Sequence, residues 1–368
     1  MEVWVDVGGT FTDCIGRGPD GRLEVCKVLS TGAVKGRSAQ GSTAAALVDP
    51  GRVEPEGFFD GYGLELFDSH GAVTGRSRVR RFRKDRIELE TPIPSAEAGL
   101  AYELSAGESG PVLGVRRLLG LRLTDSVPPV DMLLGTTRGT NALLERKVAG
   151  TVFVTTEGFA DILRIGTQNR PKLFELAILK PAPLFEDAIG LRERIDARGR
   201  VLVPLDAENA RAQLEAAVRG GREAAAICLL NACANPAHEL EAERLAREAG
   251  FRQVSVSTRV SPLLKIVPRG DTTVLDAAVT PVLRDYVAGL RAAMPEGRLR
   301  IMTSVGGLVD ADAFSGKDSL LSGPAGGVVG FAHAAREAGI DKAIGFDMGG
   351  TSTDVSRFDG EFEVQYET

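Results

Sequence analysis

The stretch Asp6-Val7-Gly8-Gly9-Thr10-Phe11-Thr12-Asp13 has a second copy in Asp347-Met348-Gly349-Gly350-Thr351-Ser352-Thr353-Asp354, and the two agree at six of eight positions. Each sits between β-like runs, as the tip of a hairpin. A glycine pair at such a tip is expected to take φ > 0 and to bring backbone N–H groups close to an anion, with the threonine hydroxyls as further donors. An aspartate at the strand end is placed to hold the waters of a magnesium ion, which keeps much of its hydration and takes one or two carboxylates. One D-x-G-G-T is equally well explained as a good turn, because Asp and Gly are what tight turns prefer. Turn geometry does not require the same hydroxyls and the same second aspartate twice, so the pair reads as two facing phosphate loops.

Around these loops the chain has 368 residues, 43% hydrophobic and 26% charged. That is too long for one core and too apolar for disorder, so two or more packed units are expected. The net charge of -6 leaves no surplus positive charge for a phosphate backbone, which argues against nucleic acid as a partner. The cysteines Cys14, Cys26, Cys228 and Cys233 form no C-x-x-C pair, as expected where thiols stay reduced. Glu2 stands where a signal peptide is basic, and apolar runs such as 224–230 are too short to span a bilayer, so a cytoplasmic protein without membrane segments is expected. His70, His238 and His333 show no ligand spacing, and no G-x-S-x-G elbow occurs, which argues against a self-contained zinc or serine hydrolase. Cys14, inside a strand pattern, is expected to be packed rather than nucleophilic.

Working outward from the first loop, residues 23–29 supply a further strand. From about 54 to 94 a period-two pattern reads as an inserted β-hairpin. Its basic run, Arg76, Arg78, Arg80, Arg81, Arg83, Lys84 and Arg86, lies near Glu88 and Glu90 and is expected to form a solvated strand face with cross-strand pairs. After a buried strand at 132–134, residues 135–141 gather polar groups at the start of a helix. Strands at 152–155, 226–230 and 253–258 then alternate with helices after Asp206 and Pro236 in the α/β manner. A long helix at about 272–294 should be kinked by Pro281. Residues 322–327 open the last helix, and 343–347 return to strand before the second loop. Two segments are expected: 1–205, with the first loop and the insertion, and 206–368, reaching the second loop at 347–354.

Paired phosphate hairpins opening two similar half-domains resemble the actin, sugar-kinase and heat-shock-chaperone superfamily, which implies an α/β actin-like ATPase fold with ATP in a cleft. The long form D-V-G-G-T-F-T-D, with S-G-P-A-G-G-V-V-G and G-F-D-M-G-G-T-S-T-D-V, resembles more narrowly the hydantoinase A/5-oxoprolinase family. Residues 135–147 (GTTRGTNALLERK), 155–164 (TTEGFADILR), 168–178 (QNRPKLFELAI) and 260–273 (VSPLLKIVPRGDTT) look like its oxoprolinase branch. The resemblance is weakest over roughly 31–130. It implies ATP- and magnesium-dependent opening of a five-membered cyclic amide, 5-oxo-L-proline to L-glutamate or a hydantoin to its carbamoyl amino acid.

On this resemblance Gly8, Gly9, Thr10, Thr12, Gly349, Gly350, Thr351 and Thr353 bind phosphates, and Asp6 and Asp347 arrange magnesium or the attacking oxygen. Asp13 and Asp354 either join the nucleotide site or brace the loops by accepting N–H groups. Ser322, Gly323, Gly326 and Gly327 lie at a helix N-terminus, where free N–H groups favour an anion, although capping accounts for Ser322 as well. Thr137, Thr140 and Asn141 are candidates for the substrate amide. Arg170 is a candidate for its carboxylate, an ordinary surface arginine being the alternative. A second subunit or further C-terminal segment of the hydantoinase B/oxoprolinase type is implied too, because only strands at 343–347, 355–358 and 362–366 follow the second hairpin's plan before Thr368. The second half-domain is therefore expected to be truncated, with an apolar face and an open sheet edge in water. A sugar- or acetate-kinase-like phosphotransferase, or a nucleotide-binding fragment without turnover, would share the loops.

Overall fold

The computed structural model describes residues 1–167, 174–178, 180–348 and 353–362. Val3, Val5 and Val7 alternate with less buried neighbours and give β1 (Glu2–Val7) one core face. The strands β2 (Phe11–Arg17) and β3 (Leu23–Leu29) continue it as an antiparallel meander.

Six strands follow: β4 (Ala33–Arg37), β5 (Ala46–Val48), β6 (Gly63–Phe67), β7 (Val73–Arg83), β8 (Arg86–Leu89) and β9 (Ala101–Ser105). They form one sheet in the order β4-β9-β6-β7-β8-β5. The hairpin expected at 54–94 is thus the middle of a larger sheet, whose remaining strands are short and pair with partners distant in sequence. Phe58, Phe59, Tyr62, Phe82 and Tyr102 fill its core, with Phe59 and Phe82 edge to face at 5.0 Å. In the basic run, Arg76 pairs across strands with Glu65 at 2.7 Å and Arg80 with Glu88 at 3.1 Å.

Next, α1 (Gly110–Leu119) packs on β2 and β3 and ends at Gly120, whose left-handed backbone (φ 64°) returns its N–H to the Arg116 and Arg117 carbonyls. The close approach depends on Gly114, where a Cβ would fall 2.3 Å from Cys14 Sγ. We expect Gly114→Ala to lower stability by about 1–3 kcal/mol through overpacking, despite alanine's better helix propensity. Urea unfolding of the two chains measures it, and an unchanged midpoint would show that the helix gives way freely.

The chain continues through β10 (Asp131–Thr136), α2 (Arg138–Leu144), β11 (Thr151–Thr156), α3 (Ile162–Ile165), β12 (Asp187–Leu191), β13 (Arg194–Ile195) and β14 (Val201–Val203). It then forms α4 (Ala207–Arg219), β15 (Ala224–Ile227), α5 (Ala237–Ala249), β16 (Gln253–Val256), α6 (Ser257–Val260) and α7 (Ile266–Ala293). Pro281 lies within α7 without ending it. The last elements are β17 (Arg298–Met302), β18 (Leu308–Asp310), α8 (Ser322–Glu337), β19 (Lys342–Met348) and β20 (Thr353–Asp359).

Two compact units result: Met1–Arg138, Val287–Ala313 and Leu321–Thr368 make the first, and Gly139–Tyr286 with Phe314–Leu320 the second. Residue 205, where the sequence placed a boundary, lies inside the second unit. The first unit is discontinuous because its main sheet, β18-β17-β10-β1-β2-β3, takes β17 from late in the chain to lie parallel to β10, which is itself parallel to β1.

In the second unit, β12, β11, β15 and β16 form a parallel sheet in that order. Every residue of β11 is buried, as expected of a central parallel strand covered on both faces. Val152 and Val154 face α4 and α5, while Phe153 packs with Val274 and Ala277 of α7. Asp206 caps α4 by accepting the Asn209 N–H at 3.1 Å.

The pair β19–β20 is antiparallel, with Asp347 opposite Asp354. Ile344, Phe346 and Met348 are 76%, 67% and 73% exposed, so an apolar face does meet water here. The strand expected at 362–366 falls almost wholly outside the described residues. Among the described residues no helix is long and apolar enough to cross a membrane.

Candidate functional site

The first loop is held by backbone and by a serine that the sequence did not flag. Gly8 N–H donates to Phe11 O at 2.9 Å and closes the turn. Ser30, at the end of β3, donates its hydroxyl to Gly8 O at 2.8 Å and lies 3.0 Å from the Thr12 hydroxyl. Thr12 is fully buried, so its hydroxyl braces the loop from behind, whereas Gly9 and Thr10 face solvent. Gly8 does not adopt positive φ, contrary to expectation. At Gly8 the lack of a side chain instead leaves room, since a Cβ would lie 3.1 Å from Phe11 O.

Strand register aligns a row of charges beneath this loop. Asp6 on β1 lies opposite Asp13 on β2, which lies opposite Lys27 on β3. The Lys27 ammonium donates to both Asp13 oxygens at 2.8 Å and sits 5.4 Å from the centre of the Phe11 ring. Asp13 is therefore engaged by a lysine absent from the expected site. The signal for it was the β2–β3 register, legible only once the turn at 18–22 is fixed. On the other side of Asp6, β10 places Gly135, where a Cβ would lie 3.3 Å from the Asp6 carboxylate. Partial burial, then the nearby Asp13 and Asp347 carboxylates, raise the pKa of Asp6, and Lys27 partly offsets them. A carboxylate raised by neighbouring carboxylates is suited to a cation.

Two further motifs meet the loop within the first unit. Thr137 donates both its N–H (3.1 Å) and its hydroxyl (3.2 Å) to Val7 O, at the base of the turn. Ser322, the first residue of α8, is fully buried and donates its hydroxyl to Thr136 O at 2.9 Å. It ties α8 to the strand end that precedes Thr137. Gly323 permits that approach, its missing Cβ being 3.4 Å from the Thr137 methyl. Gly326 and Gly327 fall in the second turn of α8. A cavity of about 560 Å³ between α8 and the β19–β20 pair is lined by Ser304, Pro324, Phe331, Phe346, Asp347 and Asp354.

Not every expected residue joins this cluster. Thr140 and Asn141 belong to the second unit, where the Thr140 hydroxyl donates to Leu320 O. Thr353 begins β20 opposite Met348. Gly349, Gly350, Thr351 and Arg170 lie outside the described residues.

Comparison with known proteins bears on this arrangement. Residues 96–250 match the profile of the hydantoinase/oxoprolinase N-terminal region, and residues 269–368 that of hydantoinase/oxoprolinase itself. The chain belongs to the hydantoinase/oxoprolinase family. It is 39% identical over 302 residues to 5-oxoprolinase 1 of Arabidopsis thaliana, an alignment that takes in 73% of this chain and 24% of the plant protein. The chain thus spans about a quarter of that relative's length. Among solved structures, nucleotide-free acetone carboxylase superposes with TM-score 0.68 at 20% identity, covering 99% of this chain and 44% of that one. An ATP-dependent caprolactamase from Pseudomonas jessenii gives 0.63 at 21%, covering 97% and 43%. With the strand order of the first unit, these likenesses bear out the α/β, actin-like ATPase fold.

Proposed function

We propose that this chain supplies the ATP-using part of an enzyme that opens a five-membered cyclic amide, with 5-oxo-L-proline going to L-glutamate as the first candidate and hydantoins as the second. One observation carries the reading: the strand end that bears Asp6 is joined by Thr137 to β10, whose Thr136 is in turn held by Ser322 at the start of α8. Family membership and the oxoprolinase relatives point the same way. An amide is a poor electrophile, and phosphorylating its oxygen lets water attack the carbonyl carbon, with ring opening and phosphate release. Such transfer depends on positioning and charge stabilisation.

Magnesium fits the residues present, because Asp6 and Asp347 offer the one or two carboxylates it takes alongside water and phosphate. When bound there with ATP it would draw charge from the transferring phosphoryl group. The exposed Gly9 and Thr10 face the phosphates, with Thr12 and Ser30 fixing their backbone. Lys27 holds the Asp13 carboxylate through two hydrogen bonds. Thr351, Thr353, Gly349 and Gly350 complete the clamp from the second loop, and Thr137, at the base of the first, is the candidate for the amide. A second subunit or further segment of the hydantoinase B/oxoprolinase type completes the active protein, in the cytoplasm.

The test is ATP hydrolysis by the chain with and without 5-oxoproline, alone and with a candidate partner. Oxoproline-stimulated phosphate release supports the proposal. Phosphate release that ignores oxoproline and hydantoins, or a stable phosphorylated product, rejects it. In the same assay Arg170→Ala should raise the apparent KM for oxoproline roughly tenfold, the loss of a charge-assisted bond worth about 1.5–3 kcal/mol, while leaving that for ATP unchanged. Equal effects on both substrates would remove Arg170 from the carboxylate role.

A further inference from the structure

The cysteines, unremarkable in sequence spacing, are paired in space. Cys14 on β2 and Cys26 on β3 lie directly opposite each other in an antiparallel ladder, one rung from Asp13 and Lys27. Both side chains point to the face covered by α1. The Cys26 thiol donates to Gly114 O at 3.5 Å, and a Cβ at Gly114 would lie 2.3 Å from Cys14 Sγ and 3.9 Å from Cys26 Sγ. Directly opposed residues of an antiparallel pair have Cα atoms about 4.5 or 5.5 Å apart, within the span of about 4.4–6.8 Å that disulfides bridge.

From this juxtaposition we infer that Cys14 and Cys26 form a dithiol modification site, which a peroxide converts to a cross-strand disulfide and a thiol reductant restores. Cys26 is half-buried and Cys14 fully buried, so the peroxide meets Cys26 first. Its sulfur attacks one peroxide oxygen, the O–O bond breaks, and water leaves with a sulfenic acid on Cys26. Cys14 sulfur then attacks that sulfur, the S–O bond breaks, and the second water carries away the Cys14 proton. Two thiols and one peroxide thus give one disulfide and two waters. The thiol–thiol hydrogen bond and the Arg117 guanidinium hold the Cys26 pKa down, while the same bond and burial push Cys14 up, which fits the order of attack.

The other two cysteines provide an internal contrast. Arg269 donates from Nε to Cys228 Sγ at 3.5 Å and from Nη1 to Cys233 Sγ at 2.5 Å, so its guanidinium stands between them. No bridge is expected there. The inference stands whether or not the first loop binds nucleotide, although the bridge would tie together the two strands that carry Thr12, Asp13 and Lys27.

The native, reduced chain is treated with a small excess of hydrogen peroxide, quenched, alkylated in denaturant and digested with trypsin. Cleavage after Arg17, Arg22 and Lys27 places Cys14 and Cys26 in separate peptides. The expected result is one linked species, residues 1–17 joined to 23–27, in more than half of the chains, absent in Cys26→Ser and reversed by dithiothreitol. Its absence from the native chain, or Cys26 oxidised beyond the sulfenic stage with Cys14 still alkylated, would overturn the inference. So would a Cys228–Cys233 link forming in preference.

Discussion

Replacing Asp6 by Asn should lower ATP turnover in the complete enzyme by about a hundredfold or more while leaving the fold intact. The two side chains have nearly the same shape, so the substitution tests charge rather than packing. Asp6 is the carboxylate on which the others act: it shares its register row with Asp13, and Asp347 contributes to its raised pKa. Removing its charge deprives a bound cation of a ligand where a transferring phosphoryl group needs neutralisation, a kind of contribution worth about 2.7–4 kcal/mol for a single group in other enzymes. Asp347→Asn should act in the same direction. Turnover and unfolding midpoints would be measured together. Near-normal turnover in both variants would mean that the two aspartates only close their turns.

The hairpin tips were legible because they are local: an aspartate, a glycine pair and hydroxyls within eight residues declare a turn before any contact is known. What the sequence could not show were partners set by register and chain return. Lys27 meets Asp13 because the β2–β3 turn fixes which residues face each other, and Ser30 reaches Gly8 O by the same geometry. Shifting that register by one residue would send Lys27 to the opposite face. The tie between Ser322 and Thr136 joins residues 186 apart in sequence, and no local pattern encodes it. The path of the first unit is equally non-local, since β17 joins β10 only after the second unit has been threaded between them. The alternating helices and strands of the second unit were readable because short apolar runs, caps and terminal glycines are local signals, as at Asp206 and Gly250. Positive φ at the glycine pair was read from residue type alone, and in the folded chain room beside Phe11 O proves to be what Gly8 supplies.

The largest stability effect is expected far from the loops, in the second unit, where Glu239 and Arg269 are both essentially inaccessible to solvent. The two buried side chains hold one residue, Leu229, from its two ends. Glu239 accepts the Leu229 N–H at 2.8 Å, and Arg269 donates to Leu229 O at 2.7 Å. Glu239 also accepts the Ser257 hydroxyl (2.6 Å) and both the N–H and hydroxyl of Thr258 (3.2 and 3.0 Å), so it joins the end of β15 to the start of α6. Glu239→Ala would leave these donors without their acceptor, and the Arg269 guanidinium without a neighbouring carboxylate, in a dry interior. A loss of about 3–5 kcal/mol follows, a large part of the stability of an ordinary domain. Burial raises the pKa of Glu239, against the opposing pull of its hydrogen bonds. A carboxyl raised in the folded state favours folding most below its unfolded value of 4.5 and loses that contribution as pH climbs through the folded value. Glu239→Gln carries no such titration, so the stability of the wild type relative to Gln should fall as pH rises across that window. Urea unfolding at a series of pH values reads both effects. If Glu239→Ala unfolds at the wild-type midpoint, the clamp on Leu229 contributes nothing, and a wild-type-to-Gln difference flat with pH would mean that Glu239 titrates alike in the folded and unfolded chains.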